Sequence, residues 1–215
     1  MMGMVTTVVL KDLTDAGIED WHGHIVGVYR RAFGAPPYNK GEVEVTGFAQ
    51  SLPEHVRREG FRFVAAFEGE NESMVGFAYG YISKPGQFWY DTVATALGPH
   101  AAAEWLTRSF QLAEIAVAPH AQGRGIGSRL HDRLLEGIAL RKAVLSTMRA
   151  KTAAQRLYRK RGWVTLLDQL RFPGVGRAYR IMGLDLEHRG ICGSDTTDSR
   201  QDNRAMLRGG ENGLR

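Results

Sequence analysis

A chain of 215 residues, 43% apolar and 24% charged, is long enough for one domain with a sizeable core and short for two, and it is too apolar for wholesale disorder. No apolar run approaches the ~18 residues of a spanning helix, the first residues lack the basic and apolar regions of an export signal, and the single cysteine, Cys192, rules out an intrachain disulfide, so a cytoplasmic protein is expected. The formal charge of +5 comes from interleaved acidic and basic residues with no aromatic-partnered basic block, which argues against a nucleic-acid partner and suits a small polyanionic ligand.

In chain order, the β-branched residues 5–10 predict a first strand. A single helix follows through Trp21, Ile25, Val28, Tyr29 and Phe33, ending at Gly34 before Pro36 and Pro37. A second helix is expected over 42–50, with another short one after Pro53. Residues 61–68 and 74–82 read as strands of an antiparallel hairpin. Residues 84–100 read as an irregular connection whose aromatics, Phe88, Trp89 and Tyr90, either pin it to the body or wall an acceptor pocket. Residues 110–118 are apolar on both alternating faces, as in a doubly buried central strand. A helix then carries Leu130, Leu134 and Ile138 inward, with Arg129, Asp132, Arg133 and Glu136 outward and His131 on the solvent side.

Residues 143–148 read as a further buried strand, Thr152 as the cap of a helix that Gly162 ends, and 163–170 and 178–186 as two last strands. The order β-α-α-β-β-β-α-β-α-β-β predicts a mixed α/β domain over 1–187, with helices flanking a mostly antiparallel sheet. Residues 188–215 turn abruptly polar and read as a disordered tail.

The most informative stretch is Gln122-Gly123-Arg124-Gly125-Ile126-Gly127, set where the central strand gives way to a helix. The first N–H groups of a helix lack intrahelical acceptors and carry the positive end of its dipole, so anions bind there. Glycines remove the Cβ atoms that would hold a phosphate off those groups, and Arg124 and Arg129 are placed to add charge. Neither dinucleotide glycine spacing nor a Walker-type Gly-Lys-Ser/Thr sequence is present.

What remains is Gln/Arg-x-x-Gly-x-Gly/Ala, and with it the chain resembles the GCN5-related N-acetyltransferases, the GNAT superfamily. Residues 112–128 are similar to the family's signature strand, loop and helix. Ala154, Leu157, Tyr158, Gly162 and Trp163 are similar to its second block. The resemblance spans about residues 5–186 and implies a GNAT fold, acetyl-coenzyme A as co-substrate and a primary amine as acceptor. With no His–Asp arrangement near Ser109 or Ser128 to make a nucleophile, direct transfer in a ternary complex is expected over a covalent acyl-enzyme.

By the same resemblance the pantetheine arm would pair with the backbone near Ile115 and Val117, and the pyrophosphate would rest on the amides of Gln122, Gly123, Arg124, Gly125, Ile126, Gly127 and Ser128. Glu114, the one acidic residue in an apolar strand, is the candidate general base; otherwise it pairs with a neighbouring arginine or contributes only polarity. Tyr158 falls where many members of the family hold a general acid for the departing thiolate, although a half-buried core tyrosine would look the same. Where the family often carries an Asn three residues before Ala154, Lys151 stands here. No metal-ligand spacing appears among the seven histidines, and no Ser–His–Asp arrangement favours a covalent intermediate. A non-catalytic acyl-coenzyme A binding module would share the glycine loop. The acceptor is not legible, and dimerisation, common in the family, leaves no mark in the sequence.

Overall fold

The computed structural model describes residues 7–69 and 72–187; the tail expected over 188–215 lies outside the described residues, as does the start of the first strand. The apolar segments β1 (Val8–Asp12), β2 (Arg62–Glu68), β3 (Ser73–Ser83), β4 (Ser109–Val117), β5 (Lys142–Met148), β6 (Val164–Arg171) and β7 (Ala178–Asp185) form one sheet. Its order is β1-β2-β3-β4-β5-β7-β6. Every pairing is antiparallel except β4 with β5, which gives the mixed, mostly antiparallel sheet that the sequence predicts.

Alternation along the strands sends side chains into cores on opposite faces. Val64, Ala66, Phe110 and Leu112 join Ile126, Leu130 and Leu134 of α6 (Ile126–Leu135) and Tyr158 of α7 (Ala153–Lys160) on one face. Phe63, Ala65, Phe67 and Phe77 meet Ile18 of α1 (Asp15–Asp20), Ile25 and Val28 of α2 (His22–Gly34) and Phe48 of α3 (Glu42–Val56) on the other. A third cluster packs Val93 of α4 (Phe88–Leu97) and Leu106 of α5 (Pro99–Leu106) on Val144 and Ile181.

The helices differ from expectation in four places. The first helix is two, jointed at Trp21, whose amide still bonds back to Gly17 O at 3.1 Å while its own carbonyl accepts from Ile25 N at 2.9 Å. Conversely, α3 runs unbroken through Pro53. A proline inside a helix orphans the carbonyl four residues back, here Ala49, and that oxygen instead lies 3.2 Å from His22 Nε2 on α2. The stretch expected to be irregular over 84–100 holds α4 and the start of α5, divided at Gly98 (φ 77°) with Pro99 at the first position of α5, where its missing N–H costs nothing. Finally, α6 stops at Leu135, so Ile138 reaches the core from the following loop.

One irregularity sets the shape of the cleft. β3 and β4 pair in register through Tyr79↔Glu114, but the next pair is Gly80↔Leu112, which leaves Ala113 as an extra residue in β4. A β-bulge of this kind bends its strand and reverses the facing of the residues beyond it. Phe110 and Leu112 face the α6 core, so an unbulged strand would bury Glu114 there too; the extra residue puts Ile115 and Val117 on that face and turns Glu114 toward the α1–α3 side. The bend also ends the pairing of β4 with β5 after Gln111↔Val144, and beyond it the two strands part.

Gly80 permits the bulge, because a Cβ there would lie 2.3 Å from Gln111 O and 2.6 Å from the Phe110 ring. Gly80→Ala is therefore expected to destabilise the protein by about 3 kcal/mol, the upper range of core overpacking. Chemical denaturation of the purified variant checks this; a loss below about 1 kcal/mol would mean that the strand slides to admit the methyl without cost.

Candidate active site

At the end of β4 the chain makes a single 3₁₀ turn over Pro119–Ala121 and enters α6 through the glycine loop. Gly125 caps α6 with φ 76° and ψ 0°, a left-handed conformation that a side chain strains, and no side chain caps the helix. The first intrahelical bond that reaches back to the cap is Arg129 N to Gly125 O at 3.1 Å, so the N–H groups of Ile126, Gly127 and Ser128 precede the helical ladder. Cβ atoms added at Gly123 or Gly125 would meet nothing within 4 Å. The loop is clipped from within, since Gln122 Nε2 donates to Val117 O at 2.9 Å.

This cradle opens into a cavity of about 530 Å³. Gln122, Gly123, Gly125, Ile126, Gly127 and Ser128 line it together with Ile115 and Val117, which brings these predicted contacts together. Arg124 is different: its guanidinium is turned to Glu68 at 2.6 Å. Arg129 likewise donates to Val8 O at 3.0 Å. Lys151 and Arg156 line the cavity instead. Donors outside the helical ladder at a helix start, space where side chains would stand and flanking cations fit a pyrophosphate-bearing ligand.

A second cavity, of about 270 Å³, fills the gap between the parted strands β4 and β5. It meets the first at Phe33, Tyr38, Ile115 and Ala154, which line both. Glu114 lines it and keeps 26% of its side chain open; burial nonetheless raises its pKa, opposed by the charge of Lys40, whose Nζ lies 4.0 Å from Glu114 Oε1. Lys40 was not legible as a site residue. It stands between helices with no periodicity to mark it, and it is held by a 2.5 Å bond to the Tyr29 hydroxyl and by the rings of Tyr29 and Phe33, whose centroids lie 4.6 and 4.3 Å away.

Tyr158 lines the same cavity, 3% exposed. Burial pushes its pKa well up, with the Tyr38 and Glu114 charges adding, so it is a protonated phenol at any physiological pH. Behind it the expectation for His131 fails. The ring is fully buried rather than on the solvent side, packed 6.3 Å from Tyr158 and 6.0 Å from Trp163. Trp163 Nε1 donates to His131 Nε2 at 2.9 Å, and His131 Nδ1 lies 2.9 Å from Asp132 Oδ1. Burial works against the charge of Asp132, but bonds from Arg161 and His131 outweigh it and hold the carboxyl below its ordinary value. The partner that buries His131 arrives from 32 residues away, so local periodicity carries no trace of it.

Comparison with known proteins falls on the same elements. The model of the acetyltransferase (GNAT) domain matches residues 59–165. The GCN5-like protein acetyltransferase Rv2170 of Mycobacterium tuberculosis is 35% identical over 161 residues, covering 62% of this chain and 78% of that protein. The chain belongs to the GNAT acetyltransferase family. Solved GNAT-fold structures agree in architecture: the PaiA N-acetyltransferase of Thermoplasma acidophilum, in complex with coenzyme A, matches with a TM-score of 0.56 at 14% identity, over 83% of this chain and 99% of that one. The ribosomal-protein-S18-alanine N-acetyltransferase of Escherichia coli matches with a TM-score of 0.54 at 15% identity, over 92% and 100%. Among the described residues of this GNAT chain no group of three or more His, Cys, Asp or Glu could hold a metal ion, and no helix is long and apolar enough to cross a membrane.

Trp163→Phe keeps the packing against Tyr158 but removes the indole donor to His131. The lost buried bond is expected to cost about 1–3 kcal/mol, read as a lower unfolding midpoint in denaturant. An unchanged midpoint would show that the His131 bond adds nothing to stability.

Proposed function

We propose that this GNAT protein transfers an acetyl group from acetyl-coenzyme A to a primary amine by direct attack, acting in the cytoplasm. The observation that carries this reading is the meeting of the two cavities at Ile115 and Ala154, one floored by the open helix start, the other holding Glu114 and Tyr158. The name of the mycobacterial relative supports the acetyl chemistry.

When bound, acetyl-coenzyme A supplies the acetyl group as an activated thioester. The amides of Gln122 to Ser128 would hold the pyrophosphate, and the edge of β4 around Ile115 and Val117, unpaired with β5, would hold the arm. The Arg124 contribution is its backbone, since its side chain serves Glu68.

Glu114 takes a proton from the acceptor ammonium, whose ordinary pKa near ~10 leaves little free amine at neutral pH. A carboxyl held above the usual range is a better match to that task than one at 4.5. Tyr158 keeps a proton for the departing thiolate. Its own raised pKa is no obstacle, because the apolar surroundings that raise the phenol raise a thiol as well. Aromatic walls from Phe33, Tyr38, Trp89 and Phe172 exclude water from the reacting centre.

A base works only when deprotonated, so kcat/KM should fall as the pH drops through a carboxyl pKa above 4.5. Glu114→Gln should remove that limb and lower kcat/KM roughly 100-fold or more, and Tyr158→Phe should lower kcat more than it changes KM. Coenzyme A release from the purified variants measures both, and thioester turnover untouched in each would favour a non-catalytic acyl-coenzyme A binding module.

Gly125→Ala tests the cradle separately. The methyl strains a residue at φ 76°, so coenzyme A affinity in a titration should weaken while the acceptor pocket stays intact. Equal affinity in the variant would remove the loop from the binding site.

A further inference from the structure

We infer that the acceptor is a free α-amino acid with a bulky apolar side chain, its ammonium received by Glu114 and its carboxylate by Lys40 in the cavity between β4 and β5. The inference rests on the transferase reading and names the class of amine that reading leaves open.

The cavity presents a carboxylate and an ammonium side by side, 4.0 Å apart and beyond hydrogen-bond reach of each other. Lys40 stays only 18% exposed, and its bond to the Tyr29 hydroxyl uses one of the three donors an ammonium carries. A simple alkylammonium docking on Glu114 would come up against this second cation at close range in a poorly solvated pocket. An α-amino acid carries the complementary pair, with ammonium and carboxylate separated by one carbon, so each end meets an opposite charge. Arg177, the other cation lining the cavity, is engaged elsewhere: it donates to Tyr38 O and stands 3.9 Å from Glu44.

The remaining walls fit an apolar side chain. Phe88 and Trp89 of α4 face Phe172, Val175 and Tyr179 of the β6–β7 hairpin. The Trp89 Nε1 donor is already given to Ser146 Oγ at 3.2 Å. Phe88 and Val175 are among the exposed large apolar residues of the chain, and both stand at this cavity. At about 270 Å³ the space is below the roughly 300–1,000 Å³ that encloses a drug-sized ligand.

The step balances with the groups present. The N–C bond to the acetyl group forms and the C–S bond breaks; of the two protons the ammonium gives up, one leaves through Glu114 and the other replaces the proton that Tyr158 hands to the thiolate.

The test compares coenzyme A release with L-phenylalanine, L-phenylalaninamide and 2-phenylethylamine, and with L-leucine and L-leucinamide. A charge-assisted bond to the carboxylate predicts kcat/KM at least about tenfold higher for an amino acid than for its amide. The amide has the less basic amine, so amine basicity cannot produce that preference. In Lys40→Met the ratio should collapse toward one, whatever happens to the absolute rate through Glu114. Amides or amines used as well as the acids, which would indicate a peptide terminus or plain amine, overturn the inference, as does a ratio that survives in Lys40→Met. Should the variant not fold, the wild-type ratio decides alone. If none of the five compounds releases coenzyme A, the inference falls; the transferase reading falls with it only where Glu114→Gln and Tyr158→Phe also leave thioester turnover unchanged.

Discussion

The extra residue at Ala113 is the constraint on which the site depends. A pleated strand has a strict two-residue alternation, and the α6 core uses it at Phe110 and Leu112. Keeping that alternation would place a carboxylate among Ile126, Leu130 and Leu134, at a desolvation cost no partner there offsets. With one residue looped out, Glu114 and Ala116 face the opposite side, and the same bend draws β4 away from β5. The placement of Glu114, the cleft and the free strand edge thus come from one local irregularity, for which Gly80 leaves room on the neighbouring strand.

The far lip of the cleft is held by polar contacts in addition to apolar packing. Gln155, 5% exposed, donates to Met148 O at 2.8 Å and accepts from Arg180 at 2.9 Å, tying the end of β5 to α7 and β7. Arg180 in turn pairs with Asp168, which Arg149 also reaches at 3.0 Å. A bonded network of this kind fixes position more narrowly than aliphatic packing, because each partner has a preferred direction. Opposite it, Lys40 sits against aromatic faces and a phenol, so a cation remains close to Glu114 without collapsing onto it. The environment of Glu114 is thereby a balance of withdrawal from water and one nearby positive charge.

Much of this was legible in the chain, for physical reasons that differ by element. The strands were readable because buried strands need apolar residues at every position or every second one. The glycine loop was readable because its positive φ at Gly123 and Gly125 favours residues without Cβ, a demand on identity itself. Residues 84–100 read as a loop because Gly98 and Pro99 each suggest one, whereas together they are a helix stop followed by a helix start; the alanines at 101–103 are the signal that separates the two. His131 and Lys40 escaped for another reason, since each meets a residue distant in sequence, Trp163 and Glu114 respectively, and no local period encodes such a meeting. The bulge too was invisible, being a property of two strands in register.

The clip that Gln122 makes to Val117 has a thermodynamic meaning of its own. A phosphate loop that ordered only around its guest would give up part of each contact to the entropy of freezing its backbone. Here an internal bond and the helix it begins set the shape before any guest arrives, so on the proposed role of the loop the ordering loss is taken at folding and not at each binding event.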